Sequence, residues 1–233
     1  MILEAEMSSK LFVREGKNVA FDSIKNTWIA SFFKVVTENC MLEDIAARLA
    51  GITFVIFNYD RCVEHFFFHA LQTYYRINPG KAAEILSYAN FLHPYGTLGS
   101  LPWETEERGL EFGADISTGE LVELTKNILT FTESTRVPQS DLIRIKDAIA
   151  STPMLIFLGF AFHKINMRLL FTDLVTNNGF KQVLGTAFNV SDSDTNSITQ
   201  ELRNKFMSEP QLRRDLTCDK IFYEYSRTIS MGN

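Results

Sequence analysis

The chain has 233 residues, with 23 Lys and Arg against 28 Asp and Glu for a net charge of −5, a length that suits one large domain or one domain with an appendage. Hydrophobic residues at 45% and charged residues at 22% exclude a disordered chain, and without a basic excess nucleic acid is disfavoured as the main partner, because phosphate binding needs clustered Lys and Arg. Cys40, Cys62 and Cys218 are too few and too far apart for a disulfide framework or a paired-thiolate zinc site, which points to a reducing setting.

The amino terminus carries acidic residues where a signal peptide needs positive charge, and the longest apolar run, Met154 to Phe162, is far short of the ~20 residues that span a bilayer. A soluble, cytoplasmic chain without membrane contact is expected. Residues 18 to 50 read as helical, since Phe21, Ile24, Trp28, Phe32 and Val35 recur at three and four, and a short helix from Leu42 to Leu49 stops at Gly51. Ile52 to Phe57 is a near-continuous apolar run, which predicts a strand buried on both faces of a parallel sheet. It ends in Asn58-Tyr59-Asp60, and from there Val63, Phe66, Phe67, Ala70, Leu71 and Tyr74 predict an amphipathic helix to about Arg76.

Next come a helix over Lys81 to Tyr88, a short strand at Phe91-Leu92, the turn His93-Pro94-Tyr95-Gly96 and a polar loop over 103 to 116. Ser117-x-x-Glu120 is a capping box for a helix from about Gly119, and Pro138 opens another with Leu142, Ile145 and Ile149 inward. A second strand–turn–helix unit comes after it, Met154 to Leu158, then Gly159-Phe160, then a helix through Met167, Leu170 and Leu174. The tail adds a strand at Gln182 to Phe188 and helices at about 192 to 207 and 217 to 228. Strands alternating with helices give an α/β fold, a Rossmann-like, mainly parallel sheet flanked by helices. The division expected is a helical segment over 1 to 50 and one α/β unit over 51 to 233.

In open parallel sheets ligands bind beyond the carboxyl ends of the strands, so three polar turns are candidates for one site: Asn58-Tyr59-Asp60, His93-Pro94-Tyr95-Gly96 and Gly159-Phe160. Each also has a plain structural explanation, Asp60 as a cap, Asn58 as a turn residue, His93 as a satisfied core histidine and Gly159 as a tight-turn glycine. Two decoys are set aside. His65 and His69 are four apart on one helical face, but Phe66 stands where a zincin has glutamate and no third ligand is evident. Asp192-Ser193-Asp194-Thr195-Asn196 begins like a calcium loop, yet its sixth position is Ser197 and its twelfth Arg203, so a helix cap is expected and no metal.

A strand ending in Phe-Asn-Tyr-Asp-Arg, a His-x-x-Gly turn some 35 residues later and a strand ending in Leu-Gly-Phe-Ala-Phe together resemble the sirtuin-like domains of bacterial anti-phage NAD hydrolases, over about residues 50 to 230. The resemblance implies that NAD is the substrate and that its nicotinamide N-glycosidic bond is hydrolysed. It further implies that Asn58 places the nicotinamide ribose and attacking water, Asp60 contacts the carboxamide and His93 is the general base. Gly96, Gly159 and Phe160 would line the same cofactor pocket.

The chain departs from that pattern at its start. Residues 1 to 50 hold a single glycine, Gly16, and no Gly-Ala-Gly-x-Ser loop to receive the pyrophosphate, so an incomplete sirtuin-like domain is expected, either part of a longer protein or lacking the phosphate half of its pocket. One strand edge or apolar face would then be open, or covered by the 18 to 50 helix, a second copy or a partner protein. The competing class is a non-catalytic assembly or partner-binding module in which the polar turns are only structural.

Overall fold

The computed structural model describes residues 1–14, 16–105, 109–130, 133, 137–173 and 181–230. Two compact units emerge, Met1–Val137 and Pro138–Ser230, so the division falls at 137 rather than near residue 50. A buried ion pair between Glu6 and Arg61 and aromatic packing between Phe32 and Phe54 tie the first fifty residues to the remainder of the first unit, which is why no boundary separates them.

In the first unit, α1 (Ile2–Ser8), α2 (Phe21–Ile24), α3 (Trp28–Thr37) and α4 (Ile45–Ala50) lead into β1 (Thr53–Val55). The helix α5 (Cys62–Tyr75) and then α6 (Pro79–Leu86) carry the chain back to β2 (Asn90–Leu92), which lies parallel to β1 with Phe54 opposite Phe91. Fourteen residues without Gly or Pro let α5 run unbroken until Arg76 turns left-handed at φ 54°. Asn78 then caps α6 by accepting the Lys81 N–H at 2.9 Å, with Pro79 at the first helical position where a missing donor costs nothing. The helix α7 (Thr118–Thr125) starts at the expected capping box, Ser117 and Glu120 exchanging side-chain bonds with each other's backbone N–H.

The phenylalanines form the core of this unit. Phe33 meets Phe66 and Phe67 edge-to-face at 5.6 and 5.7 Å, Phe32 meets Phe54 at 5.7 Å, and Phe54 stacks on Phe91 at 5.0 Å, so α3, α5 and both strands share one aromatic cluster. The stretch read as helical over 18 to 50, with a second short helix from Leu42 to Leu49, holds three short helices, α2, α3 and α4, the last of them starting within the expected second one and ending one residue past it. The strand read from Ile52 to Phe57 is shorter too, and half-buried rather than covered on both faces, in a sheet of two strands.

In the second unit, α8 (Gln139–Ser151) starts directly after Pro138 as expected, with Ile145 and Ile149 buried and Leu142 half-buried. Then β3 (Met154–Phe157), α9 (Lys164–Phe171), β4 (Gln182–Thr186), α10 (Asp192–Phe206) and β5 (Gln211–Arg213) alternate to build an all-parallel sheet in the order β3-β4-β5, and α11 (Cys218–Glu224) and α12 (Ser226–Ile229) close the unit. Leu174, expected on the inward face of α9, lies outside the described residues, as do 106–108 of the polar loop. The calcium-loop look-alike is a helix start: Ser191 caps α10 by accepting the Asp194 N–H at 3.0 Å, and Asp192 pairs with Arg214. The chain is thus a mixed α/β protein with small all-parallel sheets flanked by helices, and among the described residues no helix is long and apolar enough to cross a membrane.

Candidate functional site

Two of the three polar turns lie in the first unit, and the parallel pairing of β1 and β2 sets them side by side. Ile56 N–H donates to the Leu92 carbonyl at 2.8 Å, so the two chains leave the sheet together, one toward Asn58 and the other toward His93. There His93 Nδ1 lies 3.1 Å from the Asn58 carbonyl oxygen. The Asn58 side chain is exposed, while His93 is largely buried.

The other ring nitrogen finds a group that the sequence pattern does not single out. His93 Nε2 is 2.5 Å from Glu64 Oε1, and Glu64, on the first turn of α5, is buried at 3% exposure, its Oε2 without a hydrogen-bond partner among the described residues. Burial alone would lower the histidine pKa. The hydrogen bond and negative charge of Glu64, the Asn58 carbonyl and the charge of Asp60 outweigh it, and His93 titrates above its ordinary range. A signal for Glu64 was available: an acid between Val63 and Phe66-Phe67-Phe68 sits in a helical stretch with little solvent face, and a buried carboxylate needs a partner.

Asp60 faces the start of α5, its Oδ1 accepting the Cys62 N–H at 3.2 Å, and burial together with this carboxylate pushes the Cys62 thiol far up, out of reach of thiolate chemistry. Glu104 stands near the same cluster. Withdrawal from water and the charge of Glu64 raise it, against the Leu101 N–H it accepts at 2.7 Å. The arginine of the Asn-Tyr-Asp-Arg element, Arg61, serves structure instead: both it and Glu6 of α1 are buried, joined through Nη2–Oε2 at 2.8 Å and Nε–Oε1 at 3.0 Å, with the Gly99, Leu110 and Glu111 carbonyls accepting from its remaining donors.

Gly96 closes the turn after His93, its N–H donating to the His93 carbonyl at 2.9 Å, and sits at φ +77° with the Asn127 carbonyl so near that a Cβ would fall 1.9 Å from it. Backbone packing is therefore reason enough for a glycine here. Tyr95 and Tyr59 fix the same crossing, the Tyr95 carbonyl accepting the Leu129 N–H at 2.8 Å and the Tyr59 hydroxyl donating to the Leu129 carbonyl at 2.9 Å.

The third polar turn belongs to the second unit. Gly159, at φ +58° beyond the end of β3, donates its N–H to Thr186 Oγ1 at 3.0 Å, and that hydroxyl lies 3.7 Å from Cys218 Sγ at the start of α11. Phe160 packs against Phe157 and Phe162 at 5.5 and 5.1 Å.

His65 of the decoy pair is a core residue. It stacks on Phe112 at 3.9 Å and accepts the Val13 N–H through Nε2 at 3.0 Å, and burial, helped by the charges of His69 and Arg61, pushes its pKa to about 3. Among the described residues no group of three or more His, Cys, Asp or Glu side chains is placed to hold a metal ion. Comparison of the chain with protein-family models, curated proteins and solved structures finds no match.

Proposed function

We propose that the chain is a sirtuin-like NAD-binding protein that hydrolyses the nicotinamide N-glycosidic bond, with Asn58 and His93 at the reacting end of the pocket. The observation that supports this reading is the pairing of those two residues beyond the carboxyl ends of parallel strands, His93 Nδ1 being 3.1 Å from the Asn58 carbonyl. The exposed Asn58 amide can orient a ribose hydroxyl or a water, and a histidine beside it can manage the proton released when water attacks the anomeric carbon and the C–N electron pair leaves with nicotinamide. Asp60, two residues further along the same turn, is the group that would take the carboxamide. Turnover is expected to be slow, because residues 1 to 50 supply no glycine-rich backbone cradle for the pyrophosphate and each missing charge-assisted hydrogen bond is worth roughly 1.5 to 3 kcal/mol.

A second reading, a non-catalytic partner-binding module, is favoured by one observation: the candidate polar groups already have internal partners, both His93 nitrogens and the Gly159 N–H among them. Nicotinamide release and NAD binding by calorimetry separate the two. The hydrolase reading expects slow release that is lost in Asn58→Ala and His93→Ala. Absence of both binding and release in the wild type leaves the partner-binding reading, and release that survives both substitutions removes these residues from the chemistry.

A further inference from the structure

His93 has no outward-facing lone pair. A carbonyl oxygen can only accept, so Nδ1 must carry a proton toward Asn58, and the 2.5 Å contact between Nε2 and a carboxylate oxygen requires a second proton between them. Glu64 imposes this by its burial and its place on α5. It stands on a fourteen-residue helix beside Val63, Phe66 and Phe67, which are themselves buried, and little water reaches the pair, whose side chains are 4% exposed for Glu64 and 10% for His93.

We propose that Glu64 is a positioning residue that holds His93 between its own carboxylate and the Asn58 carbonyl with both ring nitrogens donating, and so sets the pH above which the ring can accept a proton. This deepens the hydrolase reading and rests on it where activity is concerned. In this arrangement the ring is an imidazolium and a hydrogen-bond donor. It becomes a base only after one ring proton has left, and the negative charge of Glu64 opposes that departure. Asp60 at the start of α5 adds negative charge on the same side, and Glu104 and Arg61 lie near enough to act on the cluster with opposite signs.

The test uses the full chain with 15N-labelled histidine, reading the protonation of each ring nitrogen by two-bond proton–nitrogen correlation, with His93 assigned by its loss in His93→Gln. The wild type should show both His93 nitrogens protonated at neutral pH. In Glu64→Gln the amide can donate to Nε2 and stabilise the neutral ring, so the titration midpoint should move to lower pH, and the acid limb of nicotinamide release should move with it. Glu64→Asp, which keeps the charge on a shorter arm, should restore part of the shift.

A wild-type ring that is neutral at neutral pH, or a midpoint unchanged in Glu64→Gln, overturns the proposal, and the wild-type spectrum decides alone if the variant does not fold. Should the midpoint move while no variant releases nicotinamide, the hydrolase reading falls and the positioning of His93 by Glu64 stands.

Discussion

Glu6 and Arg61 meet through two parallel hydrogen bonds in a place that water does not reach, 0% and 2% of their side-chain surfaces being exposed. One lies on the first helix of the chain and the other at the entry to α5, so a single side-chain pair carries α1 onto the loops that contain Gly99, Leu110 and Gly113. Removing one partner strands the other charge, which typically costs about 3 to 5 kcal/mol. Arg61→Met and Glu6→Met should each destabilise the first unit on that scale, and the double variant should lose clearly less than the sum, since no lone charge remains. Urea unfolding of the wild type and the three variants measures the coupling. Strictly additive losses would mean that the pair is not acting as a pair.

Gly96→Ala should damage the turn after β2. The new methyl would have to enter the Asn127 carbonyl at a left-handed backbone angle, so overpacking of about 1 to 3 kcal/mol adds to about 1 to 2 kcal/mol of conformational penalty. Gly119→Ala is the control, because nothing among the described residues stands within 4 Å of its Cβ position and its place in α7 favours alanine. Thermal unfolding should therefore fall for the first variant and hold or rise for the second; equal behaviour would contradict the close approach at Gly96.

The acid limb of stability should carry the mark of His65. Its folded-state pKa is depressed to about 3 from 6.5, so the unfolded chain takes up a proton that the folded chain refuses, and stability is lost as pH falls below 6.5 and continues to be lost toward 3. Carboxylates titrate in the same window, which is why the comparison is between variants. His65→Gln can still accept the Val13 N–H, and its unfolding free energy should fall less steeply with acid than that of the wild type. Parallel curves would show that His65 is not held neutral.

What the sequence revealed and what it hid divide along physical lines. The helix through Val63, Phe66, Phe67 and Ala70 is legible because a fourteen-residue amphipathic run repeats its apolar signal several times, and the capping box at Ser117 because it is local chemistry. Asn58 and His93 can be placed together because parallel strands send their turns to one edge. By contrast β5 is three residues, Gln211-Leu212-Arg213, too short to carry an alternating pattern, and it is a strand only because Leu184, Gly185 and Thr186 offer it a partner. The partners of Glu64 and Arg61 are hidden from the sequence for the same kind of reason. A charged residue in a sequence looks solvated until the fold supplies the opposite group, and both partners, His93 and Glu6, are tens of residues away.

The chain has two tryptophans, and both are in the first unit: Trp28 at the start of α3, and Trp103, whose indole stacks on Phe68 of α5 at 4.9 Å with the rings within 4° of parallel. Indole emission is therefore a spectroscopic label that nature has confined to Met1–Val137, silent about Pro138–Ser230, while circular dichroism is weighted by helices of both, α10 with its fifteen residues among them. Fluorescence and dichroism recorded along one denaturant series would superimpose for a chain that melts in a single step. They would part company if the two units unfold one after the other, giving each unit its own midpoint without a label or a truncation.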